Sequence, residues 1–140
     1  MIRFGRQIAV LHRKTQVFWT EWLNRQQITA AEYPIMIYLL DQDKQETASQ
    51  DEVAQHLMVD KSAVARAVQS LLDKGFITRE KDATDRRINR IILTEKGKNT
   101  KESIYTGIDV LNNRLLDGFT AEEKNALVGF LDRMTENMKK

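Results

Sequence analysis

The amino-acid sequence predicts a mainly helical (α+β) fold in which one hairpin of two strands interrupts a series of helices. Apolar residues recur at helical spacing over most of the chain, and a single proline and six glycines leave room for long helices. The pattern changes to that of strands only between residues 76 and 93. The 140 residues are predicted to form one domain, 1–140, which is large enough to bury a core.

Two helices are predicted in the first third of the chain. The first runs from about Phe4 to Arg25, where apolar side chains recur every three or four residues. The second begins at Thr29, because Thr29 and Glu32 have the spacing of a capping box, in which a hydroxyl and a carboxylate satisfy free backbone N–H groups. Pro34 lies inside this helix, which predicts either a late start or a kink.

A polar loop, Asp41 to Thr47, precedes two shorter helices. A second capping box begins at Ser49 and opens the first of them. The other is predicted to start at Asp60, a favourable N-cap, and to end before Gly75, a favourable C-cap. The connection between them is only two residues long, so the helices are expected to cross steeply, as in a helix-turn-helix.

The hairpin follows at once, with strands predicted at Phe76–Lys81 and Asn89–Leu93 around a charged loop. A long helix is then predicted from Thr94 to about Leu116, and a third capping box at Thr120 begins a final helix. The terminal helices carry more apolar surface than one small lobe can cover. Burial of that surface predicts a dimer, and the alternative is a monomer whose long helices pack on themselves.

The charge is unevenly distributed along the chain. The net charge is +2, but residues 60–98 contain ten Lys/Arg and six Asp/Glu, a net of +4. The remainder contains twelve Lys/Arg and fourteen Asp/Glu, a net of −2. A basic segment on a mildly acidic body suggests a face that meets a polyanion, and the alternative is an ordinary solvated charge run.

Composition excludes several classes of function. The chain has no cysteine, which removes disulfides, thiolate catalysis and thiol-based redox sensing and fits a reducing, cytoplasmic compartment. Its apolar runs are too short for a signal peptide or a membrane span. With two histidines and no recognisable catalytic triad, carboxylate pair or phosphate-binding loop, we predict no enzyme, no cofactor and no His/Cys metal site. A metal site made of carboxylates alone stays open.

The second helix of the predicted helix-turn-helix has the residues that duplex DNA requires, since an α-helix fits the major groove. Its exposed side is predicted to carry Lys61, Ser62, Ala63, Ala65, Arg66 and Gln69. The small residues allow a close approach to the bases, Arg66 can pair with guanine and Gln69 with adenine. Lys61 is better placed for phosphate. The alternative is plain solvent exposure on an amphipathic helix.

The hairpin loop supplies a second basic element, Asp85-Arg86-Arg87. An arginine at a loop tip can enter the minor groove, and an aspartate two residues earlier can hold its guanidinium in a fixed pose. The alternative is an ion pair in a surface turn. Ser49 and Arg90 complete the predicted DNA-binding set.

These motifs together resemble the MarR family of bacterial and archaeal regulators. The resemblance is carried by the stretches Val53–Leu57, Asp60–Arg66, Leu71–Ile77, Asp85–Arg87 and Leu93–Gly97. It implies a winged helix-turn-helix with long N- and C-terminal dimerisation helices. The DNA-binding lobe would be about residues 29–98, and the dimerisation region about 1–28 and 99–140.

The resemblance also implies a function. Members of this family are homodimers that grip successive major grooves of a pseudo-palindromic duplex, and Asp85 and Arg87 match their Asp-x-Arg wing motif, with Arg87 as the minor-groove reader. Many members repress transcription and release DNA when a phenolic or anionic small molecule binds between the dimerisation helices and the DNA-binding lobe. The absence of cysteine excludes the mechanism of the family's peroxide-sensing members.

The sequence identifies the residues that would bind an effector less specifically than those that would bind DNA. By position, His12, Arg13, Tyr33 and Met36 are candidates for the pocket, where His and Arg would meet an anion and Tyr would stack on a ring. Alternatively, His12 is a surface or interface residue and Tyr33 is core packing. Two other functions stay open: a constitutive DNA-binding regulator without an effector, and a winged-helix module for protein interaction. The basic residues on both helix and loop argue against the second.

Overall fold

The computed structural model describes residues 1–41 and 47–139 and confirms the mainly helical winged-helix fold. Its elements are, in order, α1 (Gly5–Trp22), a short 3-10 helix (Asn24–Gln26), α2 (Tyr33–Leu40), β1 (Thr47–Ser49), α3 (Gln50–Leu57), α4 (Lys61–Asp73), β2 (Ile77–Lys81), β3 (Asn89–Leu93), α5 (Glu95–Lys98), α6 (Lys101–Leu115) and α7 (Ala121–Asn137). Contacts divide the chain into two compact units, Met1–Gly107 and Ile108–Lys140. The predicted polar loop falls mostly on residues 42–46, outside the described residues.

The three strands form one antiparallel sheet in the order β1-β3-β2. The two predicted strands are confirmed, with Ile77 opposite Leu93 at the base of the hairpin. The third strand, β1, was not predicted, because three residues are too few to show alternation. It is stabilised by pairing with β3, where Ser49 lies opposite Arg90.

The predicted start and end of α4, the second helix of the helix-turn-helix, are both confirmed. Its N-cap is Asp60, whose Oδ1 accepts a hydrogen bond from the Ala63 N–H at 2.7 Å. Its C-terminal turn ends at Gly75, whose φ of +82° is left-handed and therefore suits glycine. The inner side of α4 is buried in the core of the first unit through Val64, Val68 and Leu71.

The second predicted helix begins four residues later than expected. Thr29 does not cap it. Instead the Thr29 N–H donates to Glu32 Oε1 at 2.9 Å, and α2 starts at Tyr33. Pro34 therefore lies in the first turn, where its missing N–H costs nothing, so the late start is the correct alternative. The first helix likewise ends at Trp22 and not at Arg25, because the chain tightens into the 3-10 turn.

The predicted long helix after the hairpin is broken into α5 and α6. Thr94 caps α5 as expected, and its Oγ1 accepts a hydrogen bond from the Gly97 N–H at 3.1 Å. Gly97 packs against the backbone of Phe76, where an added Cβ would lie 2.2 Å from the carbonyl oxygen. The Thr100 hydroxyl donates to the Gly97 carbonyl at 2.7 Å, which holds the bend before α6.

The capping box at Thr120 is confirmed in full: its hydroxyl accepts from the Glu123 N–H, and the Glu123 carboxylate accepts from the Thr120 N–H. Across the described residues, no helix combines the length and apolar character needed to cross a membrane.

Candidate nucleic-acid interface

The outer side of α4 presents most of the residues predicted to contact DNA. Five of the six candidates are exposed, namely Lys61, Ser62, Ala65, Arg66 and Gln69. Ala63 is half-buried and lines a cavity with Ala67 and residues before α2. The helix therefore offers one polar side for a partner, while its opposite side is held in the core.

Two of these side chains have weak partners that a ligand can displace. Gln69 Nε2 donates to Asp73 Oδ1 at 3.0 Å, one turn further along the same helix. Lys61 Nζ lies 3.6 Å from Asp51 Oδ1, and both side chains are more than 70% exposed. Exposed pairs of this kind contribute little to stability, so they leave Lys61 and Gln69 available for a stronger partner.

The hairpin loop between β2 and β3 holds Arg87 in the pose predicted from the sequence. Its Nε donates to Asp85 Oδ1 and its Nη2 to Asp85 Oδ2, both at 3.0 Å. The Arg87 N–H also donates to Asp85 Oδ1, at 3.1 Å. The Arg87 side chain remains 90% exposed, so the fork fixes its direction without covering it.

The hydrogen bonds between Asp85 and Arg87 also shift the pKa of each side chain. The hydrogen bond from Arg87 lowers the pKa of the Asp85 carboxyl below its ordinary value. The same bond raises the pKa of Arg87 above its ordinary value. The loop thus presents a permanently charged cation, which suits the negative potential of a narrow groove in DNA.

The structure reveals one organising residue that we did not predict, Asp82. Its Oδ1 accepts from the Thr84 N–H at 2.8 Å, from the Thr84 hydroxyl at 2.7 Å and from the Asp85 N–H at 3.1 Å. These bonds lower the pKa of Asp82 to about 2. An aspartate followed by a threonine two residues later is typical of such a turn, so the signal was present in the sequence.

Two predicted DNA contacts are placed differently from what we expected. Ser49 is buried, and its hydroxyl accepts from the Glu52 N–H at 3.0 Å, so it serves as the N-cap of α3. Arg90 is half-buried, with Nη1 3.5 Å from Asp82 Oδ2. Each of the two side chains therefore has a partner within the protein, Glu52 for Ser49 and Asp82 for Arg90.

Two basic residues that we did not predict lie in the exposed part of β2, which includes every residue of the strand after Ile77. Arg79 and Lys81 are both exposed, and Arg79 Nη1 is 3.5 Å from Gln50 Oε1 at the start of α3. Their spacing of two residues puts them on the same side of the strand. The sequence shows basic residues at alternate positions of the strand, but it does not indicate which side of the hairpin faces α3 and α4.

The four effector candidates do not converge on one cavity. His12 lines a cavity of about 330 Å³ between α1, the start of α2 and α4. Tyr33 lines a neighbouring cavity of about 300 Å³, and its ring stacks on Trp19 at 4.4 Å. Arg13 borders neither, and Met36 is fully buried in the core. Of the four, only Met36 is therefore closed to a ligand, since Arg13 is exposed and borders a separate cavity on α1.

The Tyr33 hydroxyl has a raised pKa because of burial, so it is neutral and can donate a hydrogen bond.

Within residues 1–41 and 47–139, no three His, Asp or Glu side chains are grouped to hold a metal ion.

Comparison with known proteins gives consistent matches. The model of the MarR family matches residues 26–88. The HTH-type transcriptional regulator YybA of Bacillus subtilis (strain 168) is 31% identical over 91 residues, 65% of this chain. The matched region spans 61% of the length of YybA. The HTH-type transcriptional regulator BilQ of Clostridium symbiosum (strain WAL-14163) is 27% identical over 131 residues, which cover 94% of this chain and 89% of BilQ.

Solved structures match over nearly the whole chain. A MarR transcriptional regulator from Methanosarcina mazei Go1 has a TM-score of 0.85 at 28% identity, covering 96% of this chain and 94% of that one. A MarR variant from E. coli, complexed with operator DNA, has a TM-score of 0.81 at 25% identity and covers 94% and 92%.

Proposed function

We propose, because this chain belongs to the MarR family of transcriptional regulators, that it is a homodimeric repressor that a small aromatic or anionic molecule releases from duplex DNA. The naming of its relatives as transcriptional regulators also confirms the prediction of a regulator and not an enzyme. The observation that carries the proposal is the exposed Arg87, clamped by Asp85 on the loop between β2 and β3. Because bacterial and archaeal chromosomes lie in the cytoplasm, we assign the chain to that compartment.

In this proposal residues of about 29–98 form the lobe that holds DNA. The N-terminal half of α4 enters the major groove, where Ser62 and Ala65 allow close approach and Arg66 and Gln69 read base edges. The loop carries Arg87 into the adjacent minor groove. The E. coli MarR variant of the same fold is complexed with operator DNA, which supports binding of duplex DNA by this chain.

Dimerisation is proposed for the helical regions of about 1–28 and 99–140. In the first unit, α1 leaves apolar side chains about half exposed at one-turn spacing, including Ile8 and Leu11. In the second unit, α7 does the same with Val128 and Leu131, and Phe130 is also about half exposed. Exposed apolar stripes on long helices are typical of an interface, and a second copy of the chain is the partner we propose.

Selection of bound sites from random duplex DNA tests the proposal directly. We expect a pseudo-palindrome with half-sites about one helical turn apart, and a light-scattering mass of two chains. Arg66→Ala should relax the preference at one base of each half-site by about 1–3 kcal/mol, since it removes a base-edge contact. Arg25→Ala, in the exposed 3-10 turn, is the matched control and should leave the selected sequence unchanged. A mass of one chain at micromolar concentration contradicts the dimer.

The cavity that His12 borders is our proposed effector site. Its walls include Ala30 and Ala31 before α2 and Ala63 and Ala67 on α4. An aromatic acid of this size would contact small apolar side chains and have an imidazole at the mouth. Because two of the walls belong to α4, an occupant would change the position of that helix.

Titration of small aromatic acids against the DNA complex tests the effector site. We expect release at micromolar to millimolar acid, and no release from Ala31→Leu, an exposed position whose longer side chain fills the cavity. The same variant should bind DNA normally without acid. Absence of release across the panel favours the constitutive regulator.

A further inference from the structure

The loop of the hairpin is held by a chain of hydrogen bonds that starts at Asp82 and ends at Arg87. Asp82 Oδ1 fixes the backbone through the N–H groups of Thr84 and Asp85. Asp85 in turn grips the Arg87 guanidinium with both carboxylate oxygens. The position of the exposed Arg87 guanidinium is therefore set by Asp82, acting through Asp85, although the Asp82 side chain does not itself face outward.

Asp82 is also tied to the stem of the hairpin. Its N–H donates to the Ile88 carbonyl at 2.8 Å, and Oδ2 lies 3.5 Å from Arg90 Nη1 on β3. The Asp82 side chain is only 16% exposed. Asp82 thus joins the two ends of the loop through its backbone N–H, and its carboxylate ties the first turn of the loop to Arg90 on β3.

The charge of Asp82 works against binding to a polyanion. The loop from Asp82 to Ile88 contains two aspartates and two arginines, so its formal charge is zero. Asp82 also opposes the ionisation of Asp85, because like charges repel. In a loop that approaches phosphates, a second carboxylate lowers affinity unless its hydrogen bonds contribute more than its charge costs.

We propose that Asp82 is a positioning residue for DNA binding: its carboxylate orders the loop so that Arg87 is presented in the groove-binding pose. This inference rests on the proposed function of Arg87. The positioning role and bulk electrostatics predict opposite changes in DNA affinity when the Asp82 carboxylate is removed. If charge alone mattered, removing Asp82 would strengthen binding, whereas loss of positioning weakens it.

The test uses the selected DNA site, with affinity measured at fixed salt for four full-length variants. Asp82→Ala should weaken binding about tenfold although it removes a negative charge, because the ordering of the loop must then be supplied on binding. Asp82→Asn keeps an acceptor for the Thr84 and Asp85 N–H groups, so it should bind within about twofold of the parent. Arg87→Ala should weaken binding by about 5- to 150-fold, and adding Asp82→Ala to it should weaken binding no further.

A second measurement needs no DNA. In the free protein, Asp82→Ala should speed amide hydrogen exchange at Thr84 and Asp85, and Asp82→Asn should restore the protection. Equal or tighter DNA binding by Asp82→Ala overturns the inference, as does an undiminished effect of Asp82→Ala when Arg87 is already alanine. If Arg87→Ala leaves affinity unchanged, the proposed function of the loop fails too, whatever the exchange rates show.

Discussion

Lys74→Met is expected to lower the free energy of unfolding by about 3–5 kcal/mol. Lys74 Nζ lies 2.8 and 3.1 Å from the two carboxylate oxygens of Glu32 and 2.6 Å from the Gln27 carbonyl. Glu32 is only 2% exposed, so the variant leaves a buried carboxylate without its cation. Denaturant unfolding monitored by tryptophan fluorescence measures the loss.

Two further variants separate the ion pair from the general effect of removing a lysine. Lys124→Met, on an exposed position of α7, should change stability by less than about 0.5 kcal/mol. The double variant Glu32→Gln, Lys74→Met removes the orphaned charge and should recover most of the loss. If the double variant is as unstable as Lys74→Met alone, the loss does not come from the buried charge.

The same pair predicts a pH dependence. Burial raises the pKa of Glu32, but hydrogen bonds from the Lys74 ammonium and the Thr29 N–H outweigh it, so the net pKa lies below the ordinary 4.5. Because the folded pKa is lowered, this stabilisation is present above pH 4.5 and is lost as the pH falls through the lowered value. In Lys74→Met burial acts without the ammonium, so the variant should lose stability as the pH rises through the Glu32 pKa.

Gly97→Ala is expected to cost about 3 kcal/mol of stability, at the upper end for overpacking. The new Cβ would lie 2.2 Å from the Phe76 carbonyl oxygen and 2.9 Å from Leu93 Cδ2. The first neighbour is backbone, so α5 or the start of β2 must move. Thermal unfolding should show a clearly lowered midpoint.

Gly129→Ala is the matched control, because it makes the same change in a helix where the new Cβ meets nothing within 4 Å. It should stabilise by about 0.5–1 kcal/mol, since alanine loses less backbone entropy in a helix. The two variants therefore shift the midpoint in opposite directions. A loss below about 1 kcal/mol for Gly97→Ala would show that the backbone of Phe76 yields easily.

Features set by neighbouring residues were predictable from the sequence. Asp60 and Gly75 bound α4 because capping depends on side chains and φ angles at the helix ends. The Asp85–Arg87 clamp was predictable for the same reason, since its partners are two residues apart. These short-range rules located the helix and loop that form most of the candidate interface.

Features set by distant contacts were not predictable. The break between α5 and α6 depends on Gly97 meeting Phe76, and the late start of α2 accompanies the pairing of Glu32 with Lys74. The site shows the same limit: Met36 has the expected position along α2, but its side chain faces the core. Helical spacing gives the angle of a side chain, and only the packed neighbours decide whether it is reachable.

The pairing of β1 with β3 has a mechanical consequence. Ser49 opposite Arg90 is one rung of a ladder that leads directly into α3 on one side and into the hairpin loop on the other. Backbone hydrogen bonds between β1 and β3 therefore join the start of α3 to the stem of the hairpin, so the two are connected without any side chain.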